Sequence, residues 1–289
     1  MLKRYAFFPG CVLNAAASEA RTALEASAKL LNVDLVEIPG WSCCGASHVQ
    51  DIAPNEALAA NARNLALGEQ IGAPVITACS TCALMLRTAK AELDHSKKDQ
   101  ANQWLSAANL EYKGTSEVTT LLWELAKDLP ALKAKVKKPL TGLNVACFYG
   151  CHSVRPEPVM NFESSRTPHS LEDIVTALGA TPVPYARRLD CCGFHAVYPA
   201  EHDAMVMVSS LVTDAAKARA HCVVSPCPLC QMQLDMYQGN AADVTGSNAS
   251  VPALHLPQLL AIALGASPES LGLDRLIVAP DGLKKVLSL

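Results

Sequence analysis

The sequence has no basic tract, no apolar run long enough to span a bilayer, and few aromatic residues. Lys and Arg number 24 against 27 Asp and Glu, a formal net charge of −3. Without a basic face nothing is available to neutralise phosphates, so nucleic acid is not an expected partner. The three tryptophans are scattered, which removes a base-stacking platform as well. The most apolar late stretch, 254–264, is interrupted by His255, Pro257 and Gln258 and is too short for a transmembrane helix. The N-terminal MLKRYAFFPGC lacks the apolar core and small-residue cleavage site of a secretory signal. Together these absences predict a soluble, cytoplasmic chain with no transmembrane segment.

Cysteine, by contrast, is plentiful: twelve in 289 residues. In a reducing compartment so many thiols read as metal ligands or redox groups before they read as structural disulfides. Ten of them fall into two copies of one pattern. Cys11 is followed after thirty-one residues by Cys43 and Cys44, and after a further thirty-four by Cys79-x-x-Cys82. Cys151 is followed after thirty-nine residues by Cys191 and Cys192, and after a further thirty-four by Cys227-x-x-Cys230. The interval from pair to C-x-x-C is the same in both copies, which marks an internal repeat.

The flanks repeat too. Ala6-Phe7-Phe8-Pro9-Gly10-Cys11 lies over Ala146-Cys147-Phe148-Tyr149-Gly150-Cys151, and both pairs are followed by glycine, Gly45 and Gly193. A weaker echo sets Thr120-Leu121-Leu122 against Gln258-Leu259-Leu260. These features predict two homologous domains, 1–135 and 140–289. The basic, proline-ended segment 132–139 reads as an exposed linker between them.

Each half alternates strand and helix patterns. Strands are expected at 5–8, 35–38 and 75–77, and again at 144–148, 182–185 and 222–225. Helices are expected at 15–31, 56–71 and 80–93, then at 171–178, 200–220 and 228–237. Such alternation implies βαβ units and a parallel sheet, so each half reads as a small α/β sandwich. On that map every pattern cysteine follows the carboxyl end of a strand. Open α/β folds bind ligands along that edge, so residues some 70 apart in sequence are expected to converge.

Thiolates are soft ligands suited to iron–sulfur clusters and zinc. Five thiols per set exceed what a tetrahedral zinc or a cubane cluster consumes. Adjacent cysteines reach two irons more easily than they chelate one, and a following glycine lets backbone amides approach sulfur. A larger, opened iron–sulfur assembly is therefore the leading reading. An iron–sulfur site in one half with zinc in the other, and a C-x-x-C dithiol oxidoreductase, stay open beside it. The dithiol alternative leaves the Cys-Cys pairs without a role.

Other candidates carry ordinary readings as well. His152 follows Cys151, His195 lies three residues after Cys192, and His48 is its near-counterpart. Each could donate a proton to a departing thiolate, or be merely structural. Arg187 and Arg188 could steer an acidic coenzyme or form a solvated pair. Cys147 and Cys222 lie outside the pattern, in expected buried strands, and read as inert core thiols.

The doubled arrangement resembles the CCG cysteine-rich domain family, and in particular the B-type component of the heterodisulfide reductases and its bacterial sulfur-oxidation versions. The resemblance covers essentially the whole chain. It implies two tandem Rossmann-like sandwiches with parallel sheets, related by a pseudo-twofold axis, each holding a non-cubane 4Fe-4S cluster. Cys11, Cys43, Cys44, Cys79 and Cys82 would hold one, and Cys151, Cys191, Cys192, Cys227 and Cys230 the other. The implied activity is reductive cleavage of a disulfide, or its reverse. Implied partners are the iron–sulfur (C-type) and flavin (A-type) components of the same complex. The implied substrate is the coenzyme M–coenzyme B disulfide, another small disulfide or thiol, or a lipoate-binding protein.

Overall fold

The structure, a computed structural model, describes residues 3–46 and 48–289, so the first two residues of the expected N-terminal domain fall outside it. The first half runs β1 (Lys3–Phe7), α1 (Gly10–Asn14), α2 (Ser18–Leu31), β2 (Val33–Glu37), α3 (Val49–Ile52), α4 (Pro54–Glu69), β3 (Val75–Thr77) and α5 (Ser80–Glu92). A π-helical turn at 93–97 leads into α6 (Lys98–Ser106), and β4 (Val118–Thr120), α7 (Leu121–Ala126) and α8 (Leu129–Lys135) complete that half. The second half comprises β5 (Asn144–Cys147), α9 (Ser170–Ala177), β6 (Thr181–Pro182), α10 (Glu201–Lys217), β7 (Cys222–Ser225), α11 (Pro228–Met236), α12 (Gln238–Thr245), β8 (Ala253–His255), α13 (Leu256–Leu264) and α14 (Asp281–Leu287).

Each half is an α/β sandwich around a four-stranded, wholly parallel sheet. The strand orders are β2-β1-β3-β4 and β6-β5-β7-β8, the same topology twice. Register follows the apolar pattern: Ala6 pairs with Val75 and Ile76 with Thr119, as Ala146 pairs with Val223 and Val224 with Leu254. Side chains alternate across β1, so Tyr5 and Phe7 face one layer while Ala6 and Phe8 face the other. In α2, Ala20, Leu24 and Ala28 recur at the helical period and are buried, and Asn32 ends the helix in the left-handed region.

Both fourth strands, β4 and β8, were outside the sequence reading. They are three residues long, and each runs directly into a helix capped by its last residue. A run that short offers no alternation to detect. The structure also corrects the third repeat echo: Thr120 corresponds to His255, three residues before Gln258. The expected linker begins inside α8, because Asp128 caps that helix through the Ala131 amide at 3.0 Å and Leu132 packs in the core.

The halves share their cores. Leu122 and Trp123 of the first half lie in one cluster with Val145, Leu171 and Leu260 of the second. Arg87 clamps the seam. Its guanidinium donates to the carbonyls of Val159 and Val118 and to Asn161, and lies 4.9 Å over Trp123, which stacks on Phe162.

Candidate metal centre

In an open parallel sheet, the carboxyl ends of the strands at which the order reverses form a crevice. Here those strands are β1 and β3 in one half and β5 and β7 in the other. Cys11 and Cys79 follow the first two, and Cys151 and Cys227 follow the second two. Cys79 and Cys227 occupy the N-cap positions of α5 and α11; Cys227 is held as thiolate there, whereas the interaction with Cys227 pushes Cys79 up. Their own amides donate to the hydroxyls of Thr77 and Ser225, both at 3.3 Å.

All twelve cysteines are free, and the ten pattern thiols form one unbroken file. Electrostatic interactions between neighbouring thiols run Cys11–Cys43–Cys44–Cys82–Cys79, cross the seam to Cys227, and continue Cys230–Cys192–Cys191–Cys151. The Cys11–Cys43 and Cys44–Cys82 separations are 3.5 and 3.6 Å. The file is symmetric about the Cys79–Cys227 contact. Cys11, Cys43 and Cys191 are exposed and Cys151 half-buried at its ends, and the six central thiols are buried.

Charge is distributed along the file with the same symmetry. Hydrogen bonds from Cys11 and then Cys44 hold Cys43 down to about 2, and those from Cys151 and Cys192 do the same for Cys191. The glycine amides reinforce this, donating from Gly45 to Cys43 at 3.5 Å and from Gly193 to Cys191 at 3.4 Å. Cys11 and Cys151, the donors, are pushed far up, with burial adding to the effect. At the seam, hydrogen bonds from Cys230 and Cys79 hold Cys227 low.

Ten soft donors gathered along one edge, five from each half, suit a polynuclear inorganic core in their number and chemistry. Among the described residues, no three Cys, His, Asp or Glu side chains are arranged around one point as a mononuclear ion requires. The backbone is shaped to the sulfurs: a Cβ on Gly10 would stand 2.8 Å from Cys82 Sγ, and one on Gly150 3.0 Å from Cys230 Sγ. Both glycines have positive φ, so a side chain there would be strained twice over. The residues therefore fit iron–sulfur cores. Gly10 and Gly150 were visible in the repeated flank but went unassigned.

The histidines divide unequally. His152 Nδ1 lies 3.0 Å from Thr81 Oγ1, and its ring meets that of His195 edge-on at 5.5 Å. Both line a cavity of about 20 Å³ against the second set of thiols. Burial, then His152, lowers the pKa of His195. His48 instead sits exposed beside Tyr198 on a cavity of about 210 Å³ against the first set. Arg188 binds Glu172 at 2.5 Å, and its carbonyl accepts the Tyr149 and Gly150 amides, while Arg187 pairs with Asp190. Both arginines thus brace the Cys151 turn and its neighbouring loop. Cys147 and Cys222 are fully buried strand residues outside the file.

Two residues at the seam were missed. Thr81 is an interior residue of the first C-x-x-C, and its hydroxyl reaches Cys227 Sγ of the other half at 3.7 Å. His255 is fully buried at the end of β8 and bonds the Ala78 carbonyl, one residue before Cys79, at 2.8 Å. Neither belongs to a recognisable spacing.

Fold and site together define a duplicated α/β protein with a thiol-rich cluster centre in each half. The chain belongs to the CCG family of cysteine-rich domains, whose model matches residues 5–87 and 145–235. It is 58% identical to the 8-methylmenaquinol:fumarate reductase membrane anchor subunit of Wolinella succinogenes, over 96% of this chain and 98% of that one. It is 33% identical to the B-type component of the ferredoxin/F(420)H(2)-dependent CoB-CoM heterodisulfide reductase of Methanosarcina acetivorans, over 95% and 93%. A crystal structure of a hypothetical protein from Helicobacter pylori shares the fold at a TM-score of 0.79 and 17% identity; the match covers 96% of this chain and about half (52%) of that one.

The first of these names overturns the expectation of a cytoplasmic chain. That expectation rested on hydropathy, which detects spanning helices. A protein held at a membrane by its surface or by a partner leaves no such run. No helix among the described residues is long and apolar enough to cross a membrane.

Proposed function

We propose that this chain is the double-cluster component of a membrane-associated oxidoreductase complex of the quinol:fumarate reductase type. Two complete CCG domains, 1–135 and 140–289, would each hold a non-cubane 4Fe-4S cluster on the five cysteines of its half. The carrying observation is the continuity of the ten-thiol file through Cys79 and Cys227. It supports two redox centres in immediate contact, one exposed at the Cys11–Cys43 end and the other at the Cys151–Cys191 end. The 58% relative, matched over nearly its full length, supports the quinol and fumarate context. Clusters held there would supply one-electron carriers. The chain fixes their thiolates, shields the central six and presents the outer ones to partner proteins, among them a flavoprotein.

A second reading is disulfide cleavage in a heterodisulfide reductase-type complex. It is favoured by the 33% relative and by Thr81, His152 and His195 beside Cys227, which could hold a proton for a departing thiolate.

The test is anaerobic purification from the membrane fraction with iron, sulfide and zinc quantitation, low-temperature paramagnetic resonance and two assays. About eight irons per chain with menaquinol-dependent fumarate reduction supports the first reading. The same iron content with turnover of a thiol-coenzyme disulfide, and none with quinol, supports the second. About four irons and one zinc would replace both with a single-cluster protein.

A further inference from the structure

The first half holds a cavity of about 200 Å³ that the thiol centre does not use. It lies on the Tyr5–Phe7 face of the first sheet, between α2 and the α7–α8 pair. Its walls are apolar: Phe7, Leu24, Leu35, Ile76, Leu125 and Leu132. A space of this size and lining takes a hydrocarbon ring or branched chain in preference to water or an ion.

One wall is polar. Tyr5 Oη donates to Glu124 Oε2 at 2.6 Å, and both residues line the cavity. Thr119 and Lys127 hold the other carboxylate oxygen at 2.7 and 2.5 Å. Burial works against the Glu124 charge, but these three donors outweigh it and keep the carboxyl below its ordinary range. A fixed carboxylate beside a phenol, at the edge of a largely apolar chamber whose rim also carries Asp128, matches a flat ring carrying hydroxyl or carbonyl oxygens. Lys3 and Lys135 also line it.

The cavity is also connected to the centre. Ile76, Thr77 and Ala78 form part of its wall, and the same strand runs straight on into Cys79. In the second half the corresponding face of β5 lies in a continuous core with Leu271, Leu273, Leu283 and Leu287 from the C-terminal segment. The chamber is thus a feature of one half and not of the fold.

We infer that this cavity binds the naphthoquinol headgroup of a prenylated quinol, its oxygens facing Tyr5 and Glu124. The inference rests on the quinol reading above and adds to it the site of binding. Ala28 on α2 and Ala131 on α8 line the chamber, so a larger side chain at either would take up its volume.

The test uses the purified complex with 2-methyl-1,4-naphthoquinone as the probe and an azido-naphthoquinone as the photolabel. Ala28→Leu and Ala131→Trp should each weaken probe binding by about tenfold or more, measured by calorimetry, since filled space excludes the ring. Thermal midpoint and dithionite-reduced paramagnetic signal should stay unchanged in both. The label should fall on peptides spanning 24–35 and 121–135. Wild-type affinity in both variants, or labelling elsewhere, would overturn the site while leaving quinol oxidation by the complex standing. Labelling of the chamber by a photoreactive phosphatidylcholine vesicle that the probe cannot displace would overturn it in favour of a lipid crevice. Absence of both probe binding and quinol oxidation in the wild-type complex would remove the quinol reading itself.

Discussion

The two halves carry the same five thiols on the same strand order, yet their surroundings differ. The first set opens onto a cavity of about 210 Å³ lined by Leu229 and Tyr198, with His48 at an exposed position. The second closes onto about 20 Å³ with Thr81, His152 and His195. The asymmetry begins inside the repeated C-x-x-C motifs: Ser80-Thr81 in one, Pro228-Leu229 in the other. Thr81 reaches across to Cys227 Sγ at 3.7 Å, and Thr81 and Leu229 each line both cavities. Duplication kept the thiol arrangement and let the surroundings diverge, leaving a larger cavity against the first set than against the second.

The strongest way to break the comparison is at the shared contact. Cys79→Ser and Cys227→Ser each remove a buried thiol at the centre of the file. Each should lower iron to about half and turnover at least ~100-fold, by metal analysis and steady-state assay. Equal losses in the two variants mean the centres function as a pair; a loss confined to one sharpens the division between halves. Arg87→Ala comes next. It strips three hydrogen bonds and the Trp123 contact from the seam, leaving the Val118 and Val159 carbonyls short of a donor. Denaturant unfolding should show a loss of about 2 kcal/mol, and two separated transitions in place of one would mean that this clamp couples the halves.

An effect that is smaller within any one pH unit separates His255 from its counterpart Thr120. Burial lowers the His255 pKa to about 4, from 6.5. Between those values the unfolded chain binds the proton and the folded chain does not, so stability falls as pH drops from 6.5 towards 4. The slope approaches one proton, about 1.4 kcal/mol per pH unit. Unfolding midpoints of His255→Gln measured across that window should lose this dependence, whereas Thr120→Ser should keep it. The smallest effect expected is for Cys147→Ala and Cys222→Ala. Both thiols lie in strands away from the file, so iron content should be unchanged and stability lower by about 1 kcal/mol.

Much of the centre was legible in sequence, and the reasons are local. A strand followed by cysteine places sulfur at the sheet edge whatever the rest of the chain does, so Cys11, Cys79, Cys151 and Cys227 could be assigned from pattern alone. The repeated Gly45 and Gly193 signalled amides aimed at sulfur, and the structure directs them to Cys43 and Cys191. What escaped was non-local. β4 and β8 are too short to show a period, and their identity as strands comes from pairing with β3 and β7. Arg187 and Arg188 could be read as steering an acidic coenzyme or as a solvated pair, because the partners that engage them, Asp190 and Glu172, become visible only in the fold. The cytoplasmic expectation failed for a related reason: it rested on hydropathy, which carries no sign of the membrane-anchor role named for the 58% relative.

The sequence alone determined that ten thiols stand in two groups of five, each at the carboxyl edge of a parallel sheet. Residue type and distance from a strand end settle that, and both are written along the chain. Tertiary structure decided that the groups meet at Cys79 and Cys227, that Thr81 reaches across the seam to Cys227, and that one sheet face keeps a chamber while the other is filled. Those outcomes depend on how two apolar surfaces interlock, which is fixed by shape and volume across residues far apart in sequence and leaves no periodic trace.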